Sequence, residues 1–314
     1  MIFIYTAVCL AVIVLLFCVS VGYFIFRSYI NFIIYSTTHT REDGLLKGEF
    51  DEDFLKIPKI EFTVQSEFGY PLSGIAIEGS SPNTIVFVHG VSWTWYGMVK
   101  YFPPFREKGW NIIACDLRGH GESGGRYPTY GYYEKHDLVK ITDWALKNFP
   151  DTKLFGYFGE SMGGAVMLQY LPLDERVDFA ISDSAFSDMT QLSMYHIKSI
   201  KIPMVFSPLI LFFAGLFMKW KAGFTLKDVS PLRSIKSTTI PILYIHGMAD
   251  PLVPYKMARE MYESRKPQFL SEIFLQEGAD HSKSIMTDRA GYNKKINEFI
   301  DLISTLKEKK REGA

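Results

Sequence analysis

Short, β-branched, apolar runs recur along the chain, most of them closing on a glycine or an acidic residue. They are "TIVFVHG" to Gly90, "NIIACDL" from Asn111, "LFGYFG" to Gly159, "DFAISD" to Asp183, "PILYIHG" to Gly247 and "EIFLQEG" to Gly278. Runs without polar alternation are covered on both faces, and helical patterns such as "YEKHDLVKITDWALKNF" and "KMAREMYESR" separate most of them. This alternation predicts an α/β fold with a mostly parallel sheet covered by helices on both faces. Ahead of these runs, Ile60, Phe62 and Val64 alternate with polar neighbours, as in a half-buried strand, and "GIAIEG" from Gly74 reads as its hairpin partner. An aromatic segment, Trp95 to Phe105, has helical potential. At 314 residues and 47% apolar content, the chain can bury a full core, so disorder is excluded.

Two segments stand outside the rhythm. "IFIYTAVCLAVIVLLFCVSVGYFIF", Ile2 to Phe26, carries no charge and exceeds the roughly 20 residues that cross a bilayer. It lacks the basic leader, short core and cleavage site of a signal peptide. A transmembrane anchor over residues 1–36 is therefore expected, then a polar linker, 37–58. Arg27, Arg41 and Lys47 follow the span and no basic residue precedes it, which favours a cytoplasmic catalytic domain. The second segment lies between Asp183 and Pro241, where the strand pattern lapses for too long to be a simple loop. It contains the uncharged run Ile202 to Met218. A second span there would put neighbouring strands of one sheet on opposite sides of the membrane, and Pro203 and Pro208 oppose one straight helix. A helical cap insertion, about 187–232, over the C-terminal edge of the sheet is the reading adopted. Its apolar run either lines an acyl pocket or also touches the membrane, with Lys219, Trp220 and Lys221 at the headgroups. The main domain is thus expected over 59–306, with a charged tail at 307–314.

Composition narrows the chemistry. Formal net charge is zero and no basic stripe stands out, so no nucleic-acid partner is expected. Cys9 and Cys18 lie in the apolar N-terminus and Cys115 in a predicted strand, leaving no disulfide framework or zinc spacing. No metal or other cofactor is expected.

The stretch "LFGYFGESMGGAVMLQYL" places a lone serine, Ser161, between a predicted strand and a predicted helix, hemmed by Gly159, Gly163 and Gly164. Reactive groups of such sheets belong at the C-terminal ends of strands. A side chain thrust out at a sharp turn needs unusual backbone angles and small neighbours, and glycine supplies both. The arrangement has the form of a nucleophile elbow. A serine hydroxyl then needs a base, and the base an orienting acid. Among the histidines, His281 in "GADHSKS" follows the last strand. His39, His89, His120, His136, His196 and His246 sit in positions better suited to structural or surface roles. Asp250, in "HGMADPLVP", lies between serine and histidine at the end of the penultimate strand and is the favoured acid. Asp183 is its competitor, and Asp280 is more suited to shaping the turn. Oxyanion donors are expected from the amides of Met162 and Val91, with Ser92 the near alternative.

With these residues in view, the chain resembles the α/β-hydrolase superfamily over approximately Glu61 to Leu306. "HGVSW", "DLRGHGESGG", "GESMGG", "HGMADPLVP" and "GADH" fall in the expected order. "YGYYEKHDL" and "DVSPL" look like a group of bacterial serine hydrolases, esterase- or peptidase-like, with an N-terminal membrane anchor. The resemblance implies a structural role for Asp116, Arg118, Gly119 and Gly121 in a turn beside the site. Relatives that use an aspartate at the elbow, such as dehalogenases and epoxide hydrolases, are set aside by Ser161, and the "HGGG" loop of some lipases is absent.

The expected protein is a membrane-anchored serine hydrolase that cleaves carboxylic esters or thioesters of a small, lipophilic acyl substrate. A peptidase or amidase of the same fold is the alternative. A catalytically idle, membrane-bound interaction module ranks below both, because no triad member is missing.

Overall fold

Each run read as a strand forms one. The computed structural model describes residues 1–265 and 269–312, and the chain divides into two compact units: residues 1–32 with 188–229, and residues 33–187 with the chain from 230 onward. The larger unit holds β1 (Ile60–Gln65), β2 (Pro71–Ile77), β3 (Asn83–Val88) and β4 (Asn111–Cys115), then β5 (Leu154–Glu160), β6 (Phe179–Asp183), β7 (Ile242–Gly247) and β8 (Ser271–Gln276). Among the described residues these make one eight-stranded sheet in the order β1-β2-β4-β3-β5-β6-β7-β8. The first two pairings, β1 with β2 and β2 with β4, are antiparallel, and all later ones are parallel.

Side-chain alternation along the strands fills two layers. On one face Phe87, Phe158, Phe179 and Ile245 join a core with Tyr101, Phe105, Trp110, Tyr292 and Phe299. On the other, the Tyr157 hydroxyl meets Thr142 Oγ1 of the helix Glu134–Asn148 at 2.7 Å, and Thr142 in turn meets the hydroxyl of Tyr170 at 2.6 Å. Every residue of β3 after Asn83, and all of β4 to β7, is buried, which is why these strands lack polar alternation. The edge strand β1 keeps only Phe62 buried.

The stretch 37–58, read from its polarity as a linker, is folded instead. It contains the helices Thr37–Leu46 and Glu52–Lys56 and belongs to the larger unit, whose first residue is Ile33. Thr40 Oγ1 meets Thr94 Oγ1 at 2.6 Å in a buried contact, and the Tyr35 amide donates to the Ser92 carbonyl at 2.9 Å. Polar residues here satisfy one another and the sheet's loops, where composition alone suggested solvent. The segment Trp95–Phe105 is a 3₁₀ helix, Trp95–Tyr101, followed by the short α-helix Pro103–Glu107, because Pro103 and Pro104 interrupt a single helix.

The smaller unit is helical. It comprises Ile2–Ile30, which carries the predicted span, and the inserted helices Met189–Ser199 and Ser207–Ala222. Pro203 precedes a 3₁₀ turn and Pro208 sits in the first turn of the second inserted helix, where a missing N–H costs nothing. Gly223, with φ of 85°, ends that helix in the left-handed conformation that favours glycine.

One close approach in the sheet can be tested. Gly156 pairs with Phe179, and a Cβ at 156 would lie 2.2 Å from the Phe179 ring, which itself packs edge-on against Trp110 and Phe299. Gly156→Ala should therefore lower unfolding stability by about 1–3 kcal/mol through overpacking, measured by denaturant titration. In a Phe179→Leu background the same alanine should cost less.

Candidate active site

Ser161 sits where β5 ends and the helix Met162–Tyr170 begins, with φ of 52° and ψ of −117°. This is a strained conformation for an L-residue, of a kind that costs about 1–3 kcal/mol. The surrounding glycines make it possible. A Cβ at Gly163 would lie 2.1 Å from the Val88 carbonyl oxygen, and one at Gly159 would lie 2.6 Å from the Gly163 carbonyl oxygen. Helix and strand ends pack backbone against backbone, and the turn between them turns the serine outward. The Ser161 amide donates to the Asp183 carbonyl at 2.7 Å, which ties the turn to the neighbouring strand.

The structure brings Ser161, His281 and Asp250 together. Ser161 Oγ is 2.9 Å from His281 Nε2, and His281 Nδ1 is 2.6 Å from Asp250 Oδ2. With Asp250 ionised, Nδ1–H donates to the carboxylate and the Nε2 lone pair accepts from the serine hydroxyl. Asp250 is held from several sides. The amides of Leu252 and Val253 donate to Oδ1, each at 2.8 Å, and His246 Nε2–H is shared between Oδ2 at 3.1 Å and the Val253 carbonyl at 2.8 Å. Burial opposes ionisation of Asp250, but the hydrogen bonds from His246 and His281 outweigh it and hold the carboxyl well below the usual carboxylate range. Burial likewise opposes a charged His281. The hydrogen bond and charge of Asp250, followed by the charges of Glu160 and Asp183, prevail and raise the imidazole above its ordinary value.

Asp183, the competing acid, is engaged elsewhere: it accepts from Ser184 Oγ at 2.8 Å and from the Tyr292 hydroxyl at 2.7 Å. Asp280 accepts from the His281 amide at 2.7 Å and so shapes the turn. The two candidate oxyanion donors, the amides of Val91 and Met162, make no hydrogen bond to another described residue. The Ser92 amide, the alternative, is occupied: it donates to His120 Nε2 at 3.3 Å, and Ser92 has φ of 72°. Two buried neutral histidines brace this loop. His89 Nδ1–H donates to the Gly90 carbonyl at 2.7 Å while Nε2 accepts the Leu117 amide at 2.9 Å, and burial pushes its pKa down to about 3. Burial also lowers that of His120 to about 4. Beneath the loop, Asp116 accepts from the amides of Trp95 and Glu122 at 2.9 and 3.0 Å. Gly119 and Gly121 take positive φ, and Arg118 stacks over Tyr70.

A cavity of about 400 Å³ opens over the serine, lined by Tyr35, Val91, Trp93, Ser161, Leu252 and His281, and also by Lys47, Glu49, Lys100 and Glu160. Sequence reasoning did not place the last four residues at the site, Lys47 being noted only as a basic residue after the span, nor did it see His246 as a support for Asp250. The buried ion pair of Lys100 Nζ with Glu160 Oε2, at 2.8 Å, joins residues far apart in sequence, and the Tyr101 hydroxyl donates to the same oxygen at 2.7 Å. Burial opposes the charge on Lys100, yet the adjacent Glu160 carboxylate raises its pKa above the ordinary value. Only the position of Glu160 inside the elbow hinted that it is anchored. Among the described residues, no group of three His, Cys, Asp or Glu side chains is placed to share a metal ion.

Comparison with known proteins bears on the family and the fold. The family model for the alpha/beta hydrolase fold matches residues 83–200. YqkD of Bacillus subtilis is 32% identical over 282 residues, covering 86% of this chain and 90% of that protein. The chain belongs to the α/β-hydrolase family. The lysophosphatidylserine lipase ABHD12 of Macaca fascicularis is 24% identical over 196 residues, covering 60% of this chain and 46% of the lipase, so the chain spans about half the length of that relative. Among solved structures, an esterase of Pyrococcus furiosus superposes with a TM-score of 0.65 at 24% identity, covering 80% of this chain and 94% of the esterase. The acylaminoacyl peptidase of Pyrococcus horikoshii does so at 0.58 and 20% identity, covering 80% and 42%. These two likenesses bear on fold alone.

The Lys100–Glu160 pair yields a stability test. Lys100→Met leaves a buried carboxylate without its counter-ion and should cost about 3–5 kcal/mol in denaturant unfolding. Adding Glu160→Gln, which removes the stranded charge, should recover part of that loss.

Proposed function

We propose that this chain is a membrane-anchored serine hydrolase that cleaves carboxylic esters or thioesters through an acyl-enzyme. The observation that carries the reading is the hydrogen-bonded chain Ser161–His281–Asp250 at the floor of a cavity. In the proposed reaction His281 Nε2 takes the Ser161 proton as Oγ attacks the substrate carbonyl. The amides of Val91 and Met162 stabilise the tetrahedral oxyanion. His281 then returns the proton to the departing alkoxide or thiolate, leaving an acyl-serine and releasing an alcohol or thiol. Water, deprotonated by the same imidazole, attacks the acyl-serine, releases the carboxylic acid and restores the hydroxyl. Asp250 keeps the proton on Nδ1 and stabilises the imidazolium. None of these steps calls on a cofactor.

A lipophilic acyl group suits the wall formed by Tyr35, Val91, Trp93 and Leu252. Ester chemistry is supported by the likeness to a lysophosphatidylserine lipase in sequence. A peptidase or amidase would use the same constellation, and the fold it shares with an acylaminoacyl peptidase keeps that reading second. The helix Ile2–Ile30 contains an 18-residue stretch of mean hydropathy 3.0, which supports the anchor, and Arg27 in its last turn with Arg41 and Lys47 beyond it supports a cytoplasmic catalytic domain.

Steady-state kinetics on activated esters of graded chain length, against aminoacyl amides, separate the two readings. Esters should be turned over faster, and Ser161→Ala and His281→Ala should each lose ~10⁴-fold or more in kcat with unchanged circular dichroism. Because only neutral His281 can act as base and its pKa is raised, the acid limb of kcat/KM should lie above 6.5. Asp250→Asn should lower the rate and move that limb to lower pH, since the charge that stabilises the imidazolium is gone, whereas Asp183→Asn should be affected less. Full activity in Ser161→Ala would overturn the reading, and a greater loss in Asp183→Asn would transfer the acid's role.

A further inference from the structure

Within the smaller unit, the second inserted helix lies against the C-terminal half of Ile2–Ile30. Phe17 meets Phe206 edge-on at 5.8 Å, and Tyr23 and Phe26 lie 5.4 and 5.9 Å from Phe217. A Cβ at Gly22 would be 2.8 Å from the Ile210 carbonyl oxygen, so the two backbones touch there. The numbers rise together along both helices, so they run parallel, with the turn at Met204–Phe206 beside Phe17. The buried stripe of the long helix, Cys18, Gly22, Ile25, Phe26, Tyr29 and Ile30, faces the inserted hairpin, and Ser193 of its first helix donates to the Tyr29 hydroxyl at 3.1 Å.

This packing sets a length problem. From Ile2 to Leu16, the helix free of the contact rises only about 22 Å, at about 1.5 Å per residue. A bilayer's hydrocarbon core is about 30 Å thick. The apolar layer must therefore reach past Phe17 to the level of about Gly22 and Ile210, and whatever flanks the helix there enters lipid. What flanks it is the tip of the inserted hairpin, which is exposed and apolar: Ile200 is 55% exposed, Val205 79% and Phe212 61%. Two lysines are exposed here, Lys198 just before the tip and Lys201 near its start. Long lysine side chains reach from such a depth to the headgroups. Trp220 lies about ten residues beyond Ile210, roughly 15 Å farther from the core, past a headgroup layer only about 5–8 Å thick.

We propose that the tip of the inserted hairpin, from Ile200 to Phe212, is a lipid-contacting surface. It enters the same leaflet from which Ile2–Ile30 emerges, and Lys198 and Lys201 favour anionic headgroups. The lipid contact is at this end of the hairpin, and the Lys219–Lys221 end stays outside. The proposal rests on Ile2–Ile30 spanning a bilayer and is independent of the chemistry at Ser161.

Tryptophan quenching by lipids brominated on their acyl chains tests it on the full chain in vesicles, since Ile2–Ile30 contains no tryptophan. Leu10→Trp reports on the span and Val205→Trp on the tip; both positions are exposed in the protein, at 62% and 79%. Val205→Trp should add a quenched component at least half as strong as that of Leu10→Trp, and Trp220→Phe should leave quenching of the parent unchanged. Joint Lys198→Glu and Lys201→Glu should reduce quenching at the tip at least twofold in anionic vesicles and little in zwitterionic ones. Quenching at Leu10→Trp without quenching at Val205→Trp overturns the proposal and leaves the anchor standing. Absence of quenching at both overturns the anchor and the proposal with it. Quenching that vanishes with Trp220→Phe puts the contact at the wrong end, and equal quenching of the charge variant in both lipids removes the preference for anionic headgroups.

Discussion

The site depends on the close approach of the helix Met162–Tyr170 to the end of β3. With only 2.1 Å between a Cβ at Gly163 and the Val88 carbonyl oxygen, no side chain fits between helix and strand. That approach directs the chain through Ser161 at φ of 52° and leaves the Met162 amide, at the helix start, without an internal partner. The strained turn would relax without restraint, and the Ser161 amide's bond to the Asp183 carbonyl on the adjacent strand supplies it. Strain at the serine is thus offset by sheet pairing a few ångströms away.

Charge is arranged around the turn with the same dependence on neighbours. Three carboxylates lie near His281, and each is held differently. Asp250 is ionised by donors that converge on both oxygens. Glu160 is paired with a buried ammonium. Asp183 is pushed upward by burial, despite donors from Tyr292 and Ser184. Only Asp250 bonds the imidazole, so a common negative environment raises the affinity of His281 for a proton while a single residue sets its tautomer. His89 and His120 show the opposite treatment. Burial keeps both neutral, and as neutral rings each can donate from one nitrogen and accept at the other, which braces the loop that carries Val91.

How much of this was legible in the sequence follows from the range of each interaction. The strands were legible because burial on both faces leaves uninterrupted apolar runs, and the elbow because glycine, serine and glycine fall at a strand-to-helix boundary. His281 and Asp250 followed from chain order. Spatial order was not legible: nothing in "NIIACDL" says that β4 inserts between β2 and β3. The fold of residues 37–58 was missed because Thr40 finds its partner at Thr94, and Tyr35, just ahead of the stretch, at Ser92, contacts that polarity alone cannot announce. His246 was set aside as structural; its bond to Asp250 makes that structural role part of the site. Lys100 and Glu160 become a pair only when the 3₁₀ helix is laid against the end of β5.

The central claim is that Ser161 is the nucleophile made reactive by His281. Labelling of the full chain with a fluorophosphonate, followed by mass spectrometry of its peptides, tests that claim directly. A single phosphonyl adduct on the peptide carrying Ser161 is the predicted result, with labelling abolished in Ser161→Ala and strongly slowed in His281→Ala. An adduct on another residue, or a Ser161 that stays unlabelled in the folded protein, would contradict it.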